Sequence, residues 1–318
     1  MTPGRIPIRT PRPQRQRGVA AVTALLIVAI ASVLAANMLW RSHLDQRRTE
    51  AALTSDQAWL YLRGAEFLAA EILRIDLQET GPDSDHLGEI WAQEIEPLPV
   101  DGGFVQGAIE DMQGRFNINN LVDAGGERDD VAFEWFQRLL AQVEIDPEYA
   151  GYVVDWIDAN QDPSFPVGAE DDVYTSHDPP YRPPNLPVTS TSELLAMEGF
   201  DADAYDRLAP LITALPQDTR LNVNTAPAEV LASLADGLSP AAAESLVEQR
   251  GDADFPDFVS TFGELLTPEM MDRIDERSSH FRLTARVSIG SMRLTMYSLL
   301  ERDTGGSVRP LLRSLGTD

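Results

Sequence analysis

The residues of this 318-residue chain with the most obvious capacity for chemistry lie between positions 155 and 178, DWIDANQDPSFPVGAEDDVYTSHD. Asp155, Asp158, Asn160, Asp162, Glu170, Asp171, Asp172 and Asp178 crowd into one stretch broken by Pro163, Pro166 and Gly168. Carboxylates at this density repel one another. A stiff Pro/Gly loop that holds them together is therefore either a solvated acidic surface or a cation site. All-oxygen donors favour Ca²⁺ over transition metals. Asp158-x-Asn160-x-Asp162 matches the opening of an EF-hand loop, but the sixth position is Pro163 where that loop needs Gly, and the twelfth is Ala169 where it needs Glu. The expectation is an irregular calcium site in which Glu170, Asp171 or Asp172 closes the shell.

Other chemistry is sparse. The histidines, His43, His86, His177 and His280, form no HExxH or other zinc spacing, and no GxSxG, Walker A or GxGxxG sequence is present. Cysteine is absent, which excludes disulfides, thiol nucleophiles and thiolate-bound metals. A membrane-anchored hydrolase with paired carboxylates stays open only because acids are everywhere. The formal net charge is −26, and all 25 basic residues are Arg. Such a surface repels nucleic acid and anionic lipid.

The elements that must carry the acidic loop begin with an anchor. Residues 1–18 hold Arg5, Arg9, Arg12, Arg15 and Arg17 and no acid, and residues 19–39 hold no charge. At 1.5 Å per residue that apolar run makes ~32 Å of helix, enough to cross a bilayer. The arginines before it predict a cytoplasmic N-terminus with residues 41–318 on the far side. A cleaved secretory signal ending near VLAAN (33–37) is the competing reading. Beyond the anchor, Trp59, Leu62, Glu66, Ala69, Leu73 and Leu77 continue at helical spacing until Gly81 and Pro82 end the run. Residues 103–122 read as two strands with a turn at Asp111–Gly114. Residues 280–302 alternate with Phe281, Leu283, Ala285, Val287 and Ile289 on one side and a hairpin turn at Gly290 and Ser291. These strands are expected to form one antiparallel sheet on the N-terminal helix.

Between them, GRFNINNLVD (114–123) resembles TRLNVNTAPAEVL (219–231), a weak internal repeat. Each copy precedes two helical patterns, 130–142 with 147–158 and 227–235 with 239–250, and closes on a short helix, 189–197 and 258–266. Ser192 is the expected cap of the first closing helix, and Asn224 with Pro227 a comparable start signal. Residues 221–250 resemble a helix-hairpin-helix unit. Its hairpin sets Asp236 beside Gly237 and has no basic residue between Asn222 and Glu248, so it predicts a structural use rather than phosphate binding.

Two features together resemble one known family. A basic leader ending at Gly18 before a long apolar helix resembles a type IV prepilin signal. The run Asp155-Trp156-Ile157-Asp158, Gly168 to Asp172 with Tyr174, Pro179-Pro180-Tyr181 and Asn185 to Pro187 resembles the minor pseudopilin K family of type II secretion systems. The resemblance spans the leader through about residue 300. It implies an α+β fold in which a pilin-like long N-terminal helix packs on an antiparallel sheet, with a large inserted helical domain of helix-hairpin-helix or SAM-like repeats. The implied segments are a leader at 1–18, a transmembrane helix at 19–40, a pilin-like domain at 41–122 and 280–318, and an insertion at 123–279. It further implies cleavage between Gly18 and Val19 by a prepilin peptidase that methylates the new N-terminus. Ca²⁺ would be bound by Asp155, Asp158, Asn160, Asp162, Glu170, Asp171 and Asp172. The implied role is non-catalytic, at the tip of the pseudopilus, with minor pseudopilins of the I and J types and the inner-membrane secretion platform as partners. Most members carry Glu at the fifth mature position, which is Thr23 here; a subunit without that carboxylate need not dock beneath another, as at a tip. A membrane-tethered periplasmic calcium-binding adaptor is the alternative.

Overall fold

The computed structural model describes residues 16–316; residues 1–15 of the expected leader lie outside the described residues. The first element, α1, is one continuous helix over Gln16–Glu79. The chain divides into a unit up to Gln57 and a unit from Ala58 onward. In the first unit, α1 contains an 18-residue window of mean hydropathy 2.7 with no residue buried, long and apolar enough to cross a membrane.

In the second unit, the α1 residues Ala58, Leu62, Ala69 and Leu73 repeat at four and seven positions, so they share one face, and all are buried. They pack on a five-stranded antiparallel sheet of order β1 (Leu98–Val100), β2 (Gly103–Asp111), β7 (His280–Ile289), β8 (Met292–Arg302) and β9 (Val308–Leu315). Side chains alternate faces along a strand. Val105 lies beside Val287, Ile109 beside Leu283, Phe281 beside Leu300 and Ala285 beside Met296, all on the face turned to the helix. Gly290, at φ +57°, makes the β7–β8 turn with Ser291, as the sequence predicts. Glu66 interrupts the apolar stripe of α1 and is compensated locally. Arg313 Nε and Nη2 donate to its two carboxylate oxygens at 2.6 and 2.9 Å, and Ser298 Oγ donates at 2.8 Å. Burial pushes this carboxyl upward, but these bonds outweigh it and hold its pKa below the ordinary value.

The expected hairpin around residues 111–114 does not form. The second strand there, β3 (Phe116–Asn117), leaves the large sheet and pairs in parallel with β4 (Ile212–Thr213). An equivalent parallel pair joins β5 (Leu221–Asn222) to β6 (Ile274–Asp275). Each pair brackets helices. The first encloses α2 (Asp130–Gln142), α3 (Ala150–Ile157), α4 (Asp171–Tyr174) and α5 (Ala202–Leu208). The second encloses α6 (Ala228–Ala232), α7 (Pro240–Arg250), α8 (Phe258–Gly263) and α9 (Pro268–Met271). Their apolar side chains, from Phe116 to Ile274, make a second core separate from that beneath the sheet.

The two Asn-x-Asn sequences perform matching tasks. Asn117 Oδ1 accepts from the Asn119 backbone N–H, as Asn222 Oδ1 does from Asn224. Asn119 Oδ1 accepts from Val188 N–H at 2.8 Å, and Asn224 Oδ1 from Phe255 N–H at 3.1 Å. In each copy a helix N-cap lies two residues beyond that donor: Ser190 for the 3₁₀ turn Thr191–Ala196, Asp257 for α8. The cap is therefore Ser190, in a reciprocal capping box with Glu193, and not Ser192. Asn224 binds Phe255 instead of capping α6, whose N-cap is Pro227 without a side-chain bond.

Candidate metal centre

The acidic loop leaves α3 at its C-terminal end. Asp155, fully buried in the last turn, organises the loop. Its Oδ1 accepts from Ser164 N–H at 3.0 Å and its Oδ2 from Ala169 N–H at 2.7 Å. Two glycines permit this wrap. A Cβ on Gly168 would stand 2.3 Å from Asp155 Oδ2, and one on Gly151 would stand 1.9 Å from Val167 O. The aromatic rings of Trp156, Tyr174 and Tyr181 pack edge-on or tilted beneath the loop.

The other candidates sort by what already satisfies them. Asp158 is 3% exposed; its Oδ2 accepts from Asn160 Nδ2 at 2.8 Å, while Oδ1 has no hydrogen-bond partner among the described residues. Glu170 is also 3% exposed, and neither carboxylate oxygen has such a partner. Asn160 Oδ1 accepts from Asp162 N–H, and the Asp162 side chain is exposed. Asp171 pairs with Arg182 at 2.9 Å, and exposed Asp172 accepts from Val173 N–H. The loop thus brings Asp158 and Glu170 inward around Asp155 and leaves Asp162 and Asp172 toward solvent. His177, 3.2 Å from Glu198, sits on the loop surface.

Burial raises all three inward carboxyls. Asp155 is raised even against its amide bonds. Asp158 is pushed up to about 6 by burial and then by the charge of Asp155. Glu170 is pushed up to about 7 by burial, then by Asp155 and Asp158. Glu127, outside the loop, adds to the repulsion on Asp158; no spacing in the sequence tied it to this place. Three buried oxygens without partners amid mutually repelling carboxylates are hard donors whose charge a cation would neutralise. Asp158 and Glu170, with Asp155 behind them, would be the residues to hold a calcium ion.

At the other end of the chain, Gly18 and Val19 lie exposed in the first turns of α1. Thr23 Oγ1 donates to the carbonyls of Val19 and Ala20 at 3.1 and 3.0 Å, so this hydroxyl is satisfied within its own helix.

Comparison with known proteins identifies the family of the chain. Two sequence models of type II secretion system protein K match, one over residues 114–217 and the other over 221–268. These ranges nearly coincide with the two segments bracketed by the parallel strand pairs. A type II secretion system protein K of Pseudomonas aeruginosa is 36% identical over 313 residues, covering 95% of this chain and 93% of its own. The chain belongs to the type II secretion system protein K family. A Klebsiella pneumoniae member is 32% identical over 311 residues, covering 91% of this chain and 93% of its own. Among solved structures, the crystal structure of the GspK–GspI–GspJ complex from enterotoxigenic Escherichia coli contains a similar fold. Its TM-score is 0.76 at 24% identity, over 85% of this chain and 100% of that one. As a protein K, the chain is a minor pseudopilin of type II secretion, a structural component with one N-terminal apolar helix consistent with a membrane anchor.

Proposed function

We propose that this chain works without catalysis at the tip of the pseudopilus, initiating or capping its assembly for export of folded proteins across the outer membrane. Thr23 carries this reading. A pilin subunit with a carboxylate at that depth needs a cationic partner in apolar surroundings. Thr23 instead closes its hydrogen bonds on Val19 and Ala20 of its own helix, so the subunit makes no demand on a neighbour above. The basic leader supports a cytoplasmic N-terminus and a periplasmic folded unit, with α1 in the inner membrane and a prepilin peptidase cutting between Gly18 and Val19. Residues 41–122 with 280–318 form the pilin-like domain and 123–279 the inserted one, which Ca²⁺ at Asp158 and Glu170 stabilises. The I-type and J-type minor pseudopilins are the proposed partners, by likeness to the protein whose crystal structure holds that set, with the inner-membrane platform beneath.

The test is the mature N-terminus, read by mass spectrometry of membranes that contain the native prepilin peptidase. A chain beginning at methylated Val19, blocked by a bulky substitution of Gly18, is expected. A chain beginning at Met1 or after Ala36 would refute the pseudopilin processing and favour a tethered calcium-binding adaptor.

A further inference from the structure

A second acidic cluster shares no residue with the loop. Asp76 lies near the C-terminal end of α1, and Asp85 and Glu89 lie in the segment that follows it. One carboxylate oxygen from each stands within 4.8 Å of the others, and the residues are 1, 4 and 4% exposed. Arg302 of β8 reaches in, with Nη1 3.1 Å from Asp76 Oδ2 and Nη2 on Asp85 Oδ1. Ser278 N–H donates to Asp85 Oδ2 at 2.7 Å. Trp91 Nε1 and His86 N–H donate to Glu89 Oε2 at 2.7 and 3.2 Å.

These bonds leave Asp76 Oδ1 and Glu89 Oε1 buried with no hydrogen-bond partner among the described residues. The nearest basic group to Glu89 Oε1, His86 Nε2, is 3.9 Å away, beyond hydrogen-bond reach. Three carboxylates against one guanidinium leave a formal charge of −2 inside the protein. Burying such a charge is strongly unfavourable unless it is paired. A divalent ion supplies both missing charges, the unpartnered donors are hard oxygens, and one carboxylate oxygen of each residue lies within 4.8 Å of the others. A cleft of about 450 Å³ with Asp85 and Arg302 on its wall gives a route from solvent.

We propose that Asp76, Asp85 and Glu89 bind one calcium-like divalent cation, which ties the end of α1 to the following segment and, through Arg302, to the sheet. In a chain without cysteine this ion takes the place of a disulfide as a covalent-like staple.

The test uses the full chain in detergent, with Tb³⁺ and Ca²⁺ as probes. Trp91 is bonded to Glu89, so Trp-sensitised Tb³⁺ emission reports this place. In a background carrying Asp158→Asn and Glu170→Gln, one Ca²⁺-displaceable Tb³⁺ site per chain is expected to remain. Adding Glu89→Gln, which keeps an acceptor for Trp91, should weaken it at least tenfold. Asp76→Asn, aimed at the other unpartnered oxygen, should do the same and serves if the Glu89 variant does not fold by circular dichroism. Absence of a site in the loop-substituted background, or emission unchanged by both cluster substitutions, would overturn the proposal and leave shared protons as the neutralising charge. Failure of the loop reading would look different: one site in the unsubstituted chain, insensitive to the loop changes and lost with Glu89→Gln.

Discussion

Glu170→Gln should reverse the sign of its effect on stability when calcium is added. Glu170 is buried, neither of its carboxylate oxygens has a hydrogen-bond partner, and its pKa is pushed from 4.5 to about 7, first by burial and then by Asp155 and Asp158. A carboxyl raised on folding stabilises the protein below its unfolded pKa, and that contribution is lost as pH rises through the folded value. At pH 7.5 without metal, holding Glu170 ionised therefore costs ~3 kcal/mol, from a shift of roughly 2.5 units at 1.36 kcal/mol each. Glutamine removes the charge but keeps a buried amide without partners, which returns part of the gain. The net stabilisation in chelator is then ~1–2 kcal/mol, a rise in Tm of about 3–6 °C. With calcium at a hundredfold excess over its Kd, the native protein gains ~2.7 kcal/mol, most of which the variant forgoes. Thermal melts in chelator and in millimolar calcium, for both proteins, read the crossover. A variant destabilised equally in both conditions would refute a ligand role and make Glu170 a packing residue. Some calcium response surviving in the variant is expected from the Asp76 cluster.

Three further outcomes follow from buried polar groups. Asp111 is raised to about 6 by burial against its bonds from Ser278, Thr225 and Gln113, so its contribution to stability is full below pH 4 and falls as pH rises through 6. Asp111→Asn should flatten the decline in unfolding free energy between pH 4.5 and 7.5 by ~2 kcal/mol, and an unchanged slope in chemical denaturation would contradict the shift. Asn119→Ala and Asn224→Ala each orphan buried backbone groups, those of Val188 and Leu215 in one copy and the Phe255 N–H in the other. Each should cost roughly 2–4 kcal/mol in denaturant titrations, with a loss under 1 kcal/mol arguing against the matched roles. Arg313→Met leaves Glu66 in the apolar stripe of α1 with only Ser298 and the half-exposed Arg63, 3.5 Å away, and should destabilise by roughly 2–3 kcal/mol, largely recovered by Glu66→Leu in the same chain; a double variant as weak as the single would sink the pairing.

The periodic elements were legible in the sequence because their period is the cause of their burial. Phe281 to Val287 alternate since one face of β7 meets α1, and Leu62, Ala69 and Leu73 recur at helical spacing for the same reason. The turn at Gly290 required a residue free to take positive φ. Short elements were not legible. Phe116–Asn117 is too brief to show alternation, and its partner Ile212 lies 96 positions away, so nearness in sequence to β2 suggested a hairpin that the fold does not make. The capping error had a readable signal: Ser190-x-x-Glu193 is a capping box, whereas Ser192 has no such acid three residues on.

The loop separates two properties that composition merges. Counting acids between 155 and 178 points to the loop as a candidate cation site but ranks Asp155 with Asp158. The fold shows that a carboxylate bonded to Ser164 and Ala169 amides shapes the loop, while those without donors hold the unsatisfied charge. What distinguishes them is the supply of N–H groups, which depends on how Gly151 and Gly168 let the backbone close, and no residue type announces that. The same reasoning explains why the Asp76 cluster was invisible. Asp85 and Glu89 are four positions apart in an irregular segment, and Arg302, which makes their shared charge intelligible, arrives 213 residues after Glu89 on a different element. A cluster of that kind becomes a site only when the charges on facing elements are summed and found not to cancel.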